Sequence, residues 1–260
     1  MTQAEWIILC LCAFAALLHG LSGFGFPMMS TALLSTQYSL SLAIALVILP
    51  CLLLNLILLK ADPSRGMLAS ITYHFKKYWP LILSSLLGSL LGVKLLLWLN
   101  EGYLKLLLGA VILFYVLDQL RHQPFQASPT VCSMLGFGLL AGTIGGATNA
   151  MAPFLMMYLL SCKISTTEVV MVSNLNFIVS KLVQLCVLFP LLLQLNPQQQ
   201  YILVWITIFA LAGVWIGGKI RHRLSLQHFR SLVLGLLLIF GLHALWQSTA
   251  LLQHSALLIK

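Results

Sequence analysis

The chain has 260 residues, with 14 Lys and Arg against five Asp and Glu for a net charge of +9; 60% of it is hydrophobic, only 7% is charged, and the mean hydropathy is +1.01. That composition lies far outside the range of water-soluble domains and assigns the chain to a lipid bilayer. Connections between the apolar runs are too short to hide a soluble domain, and the basic residues flank those runs instead of forming the continuous solvated patch that nucleic acid requires.

The first predicted helix covers residues 3–19. It has no basic leader and runs into more apolar sequence, so it reads as structure and not as a cleaved signal. A Gly-rich break at Gly20–Pro27 follows, then a second helix over 27–36, too short to cross a hydrocarbon core about 30 Å thick. Spans are expected at 42–59, 79–99 and 103–117. A polar linker, 121–131, leads into a second series: a helix, a break at Gly142–Pro153, a short helix, and spans at 169–188, 202–220 and 232–246.

The two series resemble each other. Leu18-His19-Gly20-Leu21-Ser22-Gly23-Phe24-Gly25 recurs as Leu140-Ala141-Gly142-Thr143-Ile144-Gly145-Gly146, an offset of 122 (142 − 20) with about four extra residues before the second proline. Pro27-Met28-Met29 matches Pro153 through Met156-Met157. Gly88, Gly92 and Lys94 match Gly213, Gly217 and Lys219 at an offset of 125 (213 − 88). Residues 1–120 are thus read as one membrane repeat and 132–260 as a second, joined by a cytoplasmic linker.

Each repeat reads as a broken hairpin plus three crossings. An odd number of crossings inverts the second repeat relative to the first. The basic residues agree, because Lys and Arg concentrate in cytoplasmic loops. With inverted repeats Lys60, Arg65, Lys76, Lys77, Arg121, Lys163, Lys219, Arg221, Arg223 and Arg230 lie inside, and Lys94, Lys105 and Lys260 outside. Parallel repeats would put six inside and seven outside. Both termini are therefore expected outside the cytoplasm.

Irregular backbone at membrane depth needs a protein or watery lining, so the two breaks are expected to converge on a site. Helices starting at the breaks present free N–H groups and positive dipole ends, which suit an anion. Candidate residues are Gly20, Ser22, Gly23 and Gly25 in the first break, and Gly142, Thr143, Gly145, Gly146, Thr148 and Asn149 in the second. Lys181 lies mid-span with no acidic residue near it in sequence, an expensive placement that points to function. Asn174, Lys181 and Gln184 share a helix face, and Asn55 occupies the place of Lys181 in the first repeat. His19, beside the first break, is either a proton-linked group or a packed neutral His.

The carboxylates, Glu5, Asp62, Glu101, Asp118 and Glu168, lie at span ends or in loops, which excludes an enzyme built on a nucleophile, His and acid and disfavours a cation carrier needing buried carboxylates. Six cysteines lie mostly in apolar runs and imply no disulfides. His222 and His228 lie among arginines, so neither a metal nor a cofactor is expected. The Gly-xxx-Gly pairs at Gly88/Gly92 and Gly213/Gly217 fit close helix packing, within one chain or in a homodimer.

On the paired Gly-rich breaks, each with a proline, and the paired Gly-xxx-Gly spans with a basic turn, the chain resembles the sulfite exporter TauE/SafE family, also called the toluene sulfonate uptake permease family, from Phe14 to Leu245. The resemblance implies a bacterial inner-membrane carrier of sulfur-containing or organic anions, with Gly20, Gly23, Gly25, Pro27, Gly142, Gly145, Gly146 and Pro153 in its motif. The expected partners are a small anion, the lipid bilayer, and a coupling proton or sodium ion. A passive anion channel and a membrane scaffold are the alternatives.

Overall fold

The structure, a computed structural model, describes residues 3–23, 25–59, 66–121, 127–220 and 226–257. Phe24, Lys60, Asp62, Arg65, Arg221, His222, Arg223 and Lys260 lie outside the described residues, as do the side chains of Ser22, His228 and Arg230. Ten helices are described: α1 (Gln3–Ser22), α2 (Phe26–Leu34), α3 (Leu40–Leu58), α4 (Met67–Trp98), α5 (Glu101–Leu120), α6 (Val131–Thr148), α7 (Ala152–Ser161), α8 (Thr166–Leu193), α9 (Pro197–Ile220) and α10 (Leu226–Leu257). Seven of them are long and apolar enough to cross a membrane. The chain is an all-α polytopic membrane protein.

Local chemistry sets the ends. Ser39, Asn100, Thr130 and Ser165 each accept a first-turn backbone N–H and so cap α3, α5, α6 and α8. Pro27 and Pro153 sit in the first turns of α2 and α7, where the missing N–H costs nothing. α4 is longer than the expected 79–99 span because a helical stretch from Met67 precedes it; the two meet at a kink at Tyr78 (φ −115°, ψ 21°), two residues before Pro80. With 9 and 10 residues, α2 and α7 are about 14–15 Å long, half of a hydrocarbon core.

Contacts fix the direction of each helix. Glu5 at the start of α1 accepts hydrogen bonds from Tyr38 (2.8 Å), before α3, and from Gln198 (2.5 Å), at the start of α9. Glu101, at the start of α5, accepts the Leu40 N–H (2.9 Å) at the start of α3. Leu252 of α10 packs against Gly102. All of these lie at one face. At the opposite face Glu168, at the start of α8, meets Lys77 and Tyr78 of α4 (2.6 and 3.0 Å), and Ser161, at the end of α7, accepts the Ala127 N–H (2.9 Å) just before α6. α1 therefore starts at one face and α6 at the other, so the repeats are inverted. Burial, together with the hydrogen bond to and charge of Glu5, holds the Tyr38 phenol above its ordinary pKa, so it remains a donor at neutral pH.

The repeats interlock. The most extensive contacts join α4 to α6 and α1 to α9, pairing a long span of each repeat with the broken helix of the other. Glycines make these crossings possible. A Cβ on Gly88 or Gly92 would strike the α6 backbone at Thr143, Gly146 and Ala147, and one on Gly213 or Gly217 would strike the α1 backbone at Ala13, Leu17 and Gly20. The Gly-xxx-Gly pairs thus serve packing within the chain.

These equivalent contacts correct the alignment of the broken helices. Gly92 abuts Gly146 as Gly217 abuts Gly20. The true offset there is 126 (146 − 20), not 122, and no extra residues are needed. Gly20 corresponds to Gly146, Gly23 to Asn149, Pro27 to Pro153, Asn55 to Lys181 and Leu58 to Gln184. Motif similarity had aligned the glycines on each other, but the helix crossing decides which glycine is required.

Candidate functional site

The breaks are narrower than the sequence suggested. α1 continues through Gly20 to Ser22 and α6 through Gly142, Gly145 and Gly146 to Thr148, because tertiary packing keeps these glycines helical. The chain leaves the helix at equivalent points. The Gly23 N–H closes on the His19 carbonyl (2.7 Å) with φ 84°, and the Asn149 N–H closes on the Gly145 carbonyl (2.8 Å) with φ 63°. Both residues are in the left-handed region that Gly and Asn tolerate best.

At Asn149 that conformation brings a carboxamide to the centre of the protein. Its Nδ2 donates to Thr31 Oγ1 of α2 (2.7 Å), tying one hairpin to the other. Its Oδ1 accepts from Lys181 Nζ and from Gln184 Nε2 (2.9 Å). Lys181 Nζ also donates to Gln184 Oε1 (2.6 Å), and Gln184 Nε2 lies 3.2 and 3.1 Å from the Gly145 and Gly146 carbonyls at the end of α6. Lys181 is 3% exposed, and the side chains that hold its ammonium are neutral amides. The ion pairs among the described residues are elsewhere, at Lys77–Glu168 and Lys105–Glu101. A buried ammonium with amide partners keeps its positive charge available to an anion.

A small cavity opens on this cluster. The first break and first turn of α2 contribute Gly25, Pro27 and Met28, the second break contributes Gly145, Asn149, Met151 and Ala152, and α8 contributes Ser180 and Lys181. Its volume of about 10 Å³ is at the threshold for a single water molecule. The N-termini of both half-length helices, α2 and α7, border it, so two positive dipole ends and one ammonium face the same small space.

The structure separates the expected residues. Gly25, Gly145, Asn149 and Lys181 line the cavity, with Gln184 behind them. Gly20, Gly142 and Gly146 lie in the helix crossings, and the backbone of Thr143 faces Gly88 and Gly92. Thr148 Oγ1 donates to the Ile144 carbonyl (2.7 Å) and accepts the Ala150 N–H (3.3 Å), which fixes the end of α6. Gly23 packs on Val170, and Asn174 donates back to the Val170 carbonyl (2.7 Å), away from Lys181. Asn55 is fully buried with neither amide atom hydrogen-bonded among the described residues. The apolar lining residues Met28, Met151 and Ala152 carry no chemical signal in sequence and were not anticipated. No group of His, Cys, Asp or Glu suited to a metal occurs among the described residues.

The model of the sulfite exporter TauE/SafE family matches residues 8–244. The chain belongs to that family. No curated protein and no solved structure matches it. Membership in the TauE/SafE family makes the chain a multi-pass membrane transporter, and the paired breaks lie within the matched region.

Asn149→Gly tests the cluster in this TauE/SafE member. Glycine keeps the left-handed turn, as Gly23 does in the first repeat, but removes the partners of Thr31 and Lys181. We expect a folded protein destabilised by about 1–3 kcal/mol, read by thermal unfolding in detergent. An unchanged stability would mean that the Asn149 hydrogen bonds contribute nothing net.

Proposed function

We propose that the chain is a secondary carrier of small anions of the sulfite or sulfonate type across the bacterial inner membrane, with the anion bound between the two breaks against Lys181. The single observation that carries this reading is the convergence of a buried ammonium, without a carboxylate partner, and two half-helix N-termini on one cavity. Sulfur oxyanions and sulfonates offer several acceptor oxygens to such a donor set, and the family supplies that substrate class.

A cavity that holds about one water supports a carrier over an open pore, because a sulfur oxyanion requires the site to widen. Two apolar clusters suggest how. One is built mainly from α4, α6, α7 and α8, and the other mainly from α1, α2, α3, α5, α9 and α10, with Leu96 of α4, Ala147 of α6 and Leu188 of α8 joining the second at the boundary. The site lies where they meet, held by Asn149–Thr31. Rocking of these cross-repeat bodies, instead of the repeats themselves, exposes the site to each face in turn. The face with Lys76, Lys77, Arg121, Lys163 and Lys219 is the cytoplasmic one by the positive-inside bias, and the starts of α1 and α3 and the end of α10 are extracytoplasmic.

Thermal unfolding of the purified protein with sulfite, sulfate, thiosulfate, sulfoacetate, taurine or an uncharged amide is the direct test. A ligand that binds only the native state raises its apparent stability. One or more of the sulfur anions should do so, and the amide should not. Stabilisation by none of the anions would sink the proposal.

A further inference from the structure

The repeat symmetry is broken at its most expensive residue. At the end of α6, the carbonyls of Gly145 and Gly146 face the Gln184 amide, and the Lys181 ammonium lies beside them. A helix C-terminus carries partial negative charge, so a cation is favourable there. The 126-residue offset puts Asn55 in place of Lys181 and Leu58 in place of Gln184. The carbonyl end of α1 thus lacks both the amide that donates to its counterpart and the ammonium that this amide holds.

The packed helices α3 and α8 instead carry two buried amide oxygens without partners among the described residues. Asn55 is 0% exposed and neither Oδ1 nor Nδ2 has a partner among the described residues. Asn174 is also 0% exposed; its Nδ2 is used on the Val170 carbonyl and its Oδ1 is unpartnered. Val170, one turn earlier on the same face of α8, packs against Gly23 at the end of α1. Orphaned buried polar atoms are rare and call for a ligand, ion or water. His19 Nε2 is also unpartnered, but His19 Nδ1 accepts the Phe26 N–H (3.5 Å), so Nε2 carries the proton and is no cation ligand.

We propose that a sodium ion binds at the end of α1, held by Asn55 Oδ1, Asn174 Oδ1 and last-turn carbonyls of α1, in the place that the Lys181 ammonium takes in the second repeat. Hard cations take oxygen ligands, and half-helix C-termini with unwound carbonyls form sodium sites in transporters. A donor set of amide and carbonyl oxygens without a carboxylate suits a monovalent ion and not a divalent one. The ion fills the first break as the Lys181 ammonium fills the second, and the Asn149–Thr31 hydrogen bond links the two hairpins, so sodium and anion binding are coupled.

The test is thermal unfolding of the full chain in sodium chloride against choline chloride at equal concentration, without added anion substrate. At ten times its dissociation constant, sodium should raise the wild-type midpoint by about 3–5 °C. Asn55→Leu should abolish the difference. Asn55→Lys, which puts an ammonium where the ion would sit, should show no sodium response. Lys181→Met should keep the sodium response while losing any response to sulfite, so failure of the anion site and failure of the cation site read out separately. Equal wild-type midpoints in the two salts would overturn the proposal even if both Asn55 variants failed to fold, and so would a full sodium response in Asn55→Leu.

Discussion

Lys181→Met should abolish anion binding while leaving the protein folded. Losing a buried, hydrogen-bonded charge from a binding site costs about 2–5 kcal/mol of affinity, or roughly 30-fold to several-thousand-fold in dissociation constant at about 1.4 kcal/mol per tenfold. Uptake of sulfite or a sulfonate into proteoliposomes should fall to the level of empty vesicles. Stability responds differently. Methionine fills nearly the same volume, Asn149 Oδ1 keeps its bond from Gln184, and a desolvated ammonium disappears from a site with no carboxylate to leave behind. The ligand-free variant should therefore unfold at or above the wild-type temperature. A structural lysine predicts the reverse, with lower stability and intact transport. Lys181→Arg is not a rescue, because a larger guanidinium has no room beside a cavity that admits one water.

The periodic and compositional parts of the structure were legible in the sequence because they rest on local rules. Apolar run lengths, the prolines that open α2 and α7, the inverted repeat and the isolated Lys181 all follow from the cost of polar groups in lipid. Two things were not legible. Glycine has one symbol for two roles, and sequence cannot say whether Gly20 or Gly146 loosens the backbone or admits another helix; only the opposing residues, Val214 and Ser89, settle that both are crossings. The partners of Lys181 could not be assigned either. Gln184 is one turn away on the same helix and was expected, but Asn149 reaches the ammonium through a left-handed turn whose equivalent, Gly23, shares no side-chain chemistry with it. Equivalence became visible through backbone geometry. Thr31 takes its role from a contact across 118 residues of sequence.

Gly92→Leu should destroy the fold, whereas Gly136→Leu should not. Both glycines lie inside long helices, and helix propensity alone favours leucine at either by about 1 kcal/mol. Their surroundings differ. A Cβ at Gly92 would lie 2.8 Å from the Ala147 nitrogen and 2.9 Å from the Gly146 Cα, so the obstacle is α6 backbone and not a side chain that can rotate away. Relief requires α4 and α6 to separate along the most extensive contact in the molecule. Overpacking a core costs about 1–3 kcal/mol where side chains can adjust, and separating two backbones exceeds that range, enough to exhaust a typical stability of about 5–15 kcal/mol when several crossing contacts fail together. At Gly136 a Cβ meets nothing within 4 Å, and the substitution adds apolar surface to an exposed helix face. Yield of monodisperse protein after detergent extraction separates the two variants. Gly217→Leu should behave like Gly92→Leu, because its Cβ would strike α1 at Leu17 and Gly20 in the equivalent crossing. Equal behaviour at those two positions, against tolerance at Gly136, would tie the repeated Gly-xxx-Gly motif to holding the broken helices α1 and α6 in register. Tolerance of leucine at Gly92 would mean that the crossing is looser than its geometry requires, and the alignment of the breaks around Lys181 would need another cause.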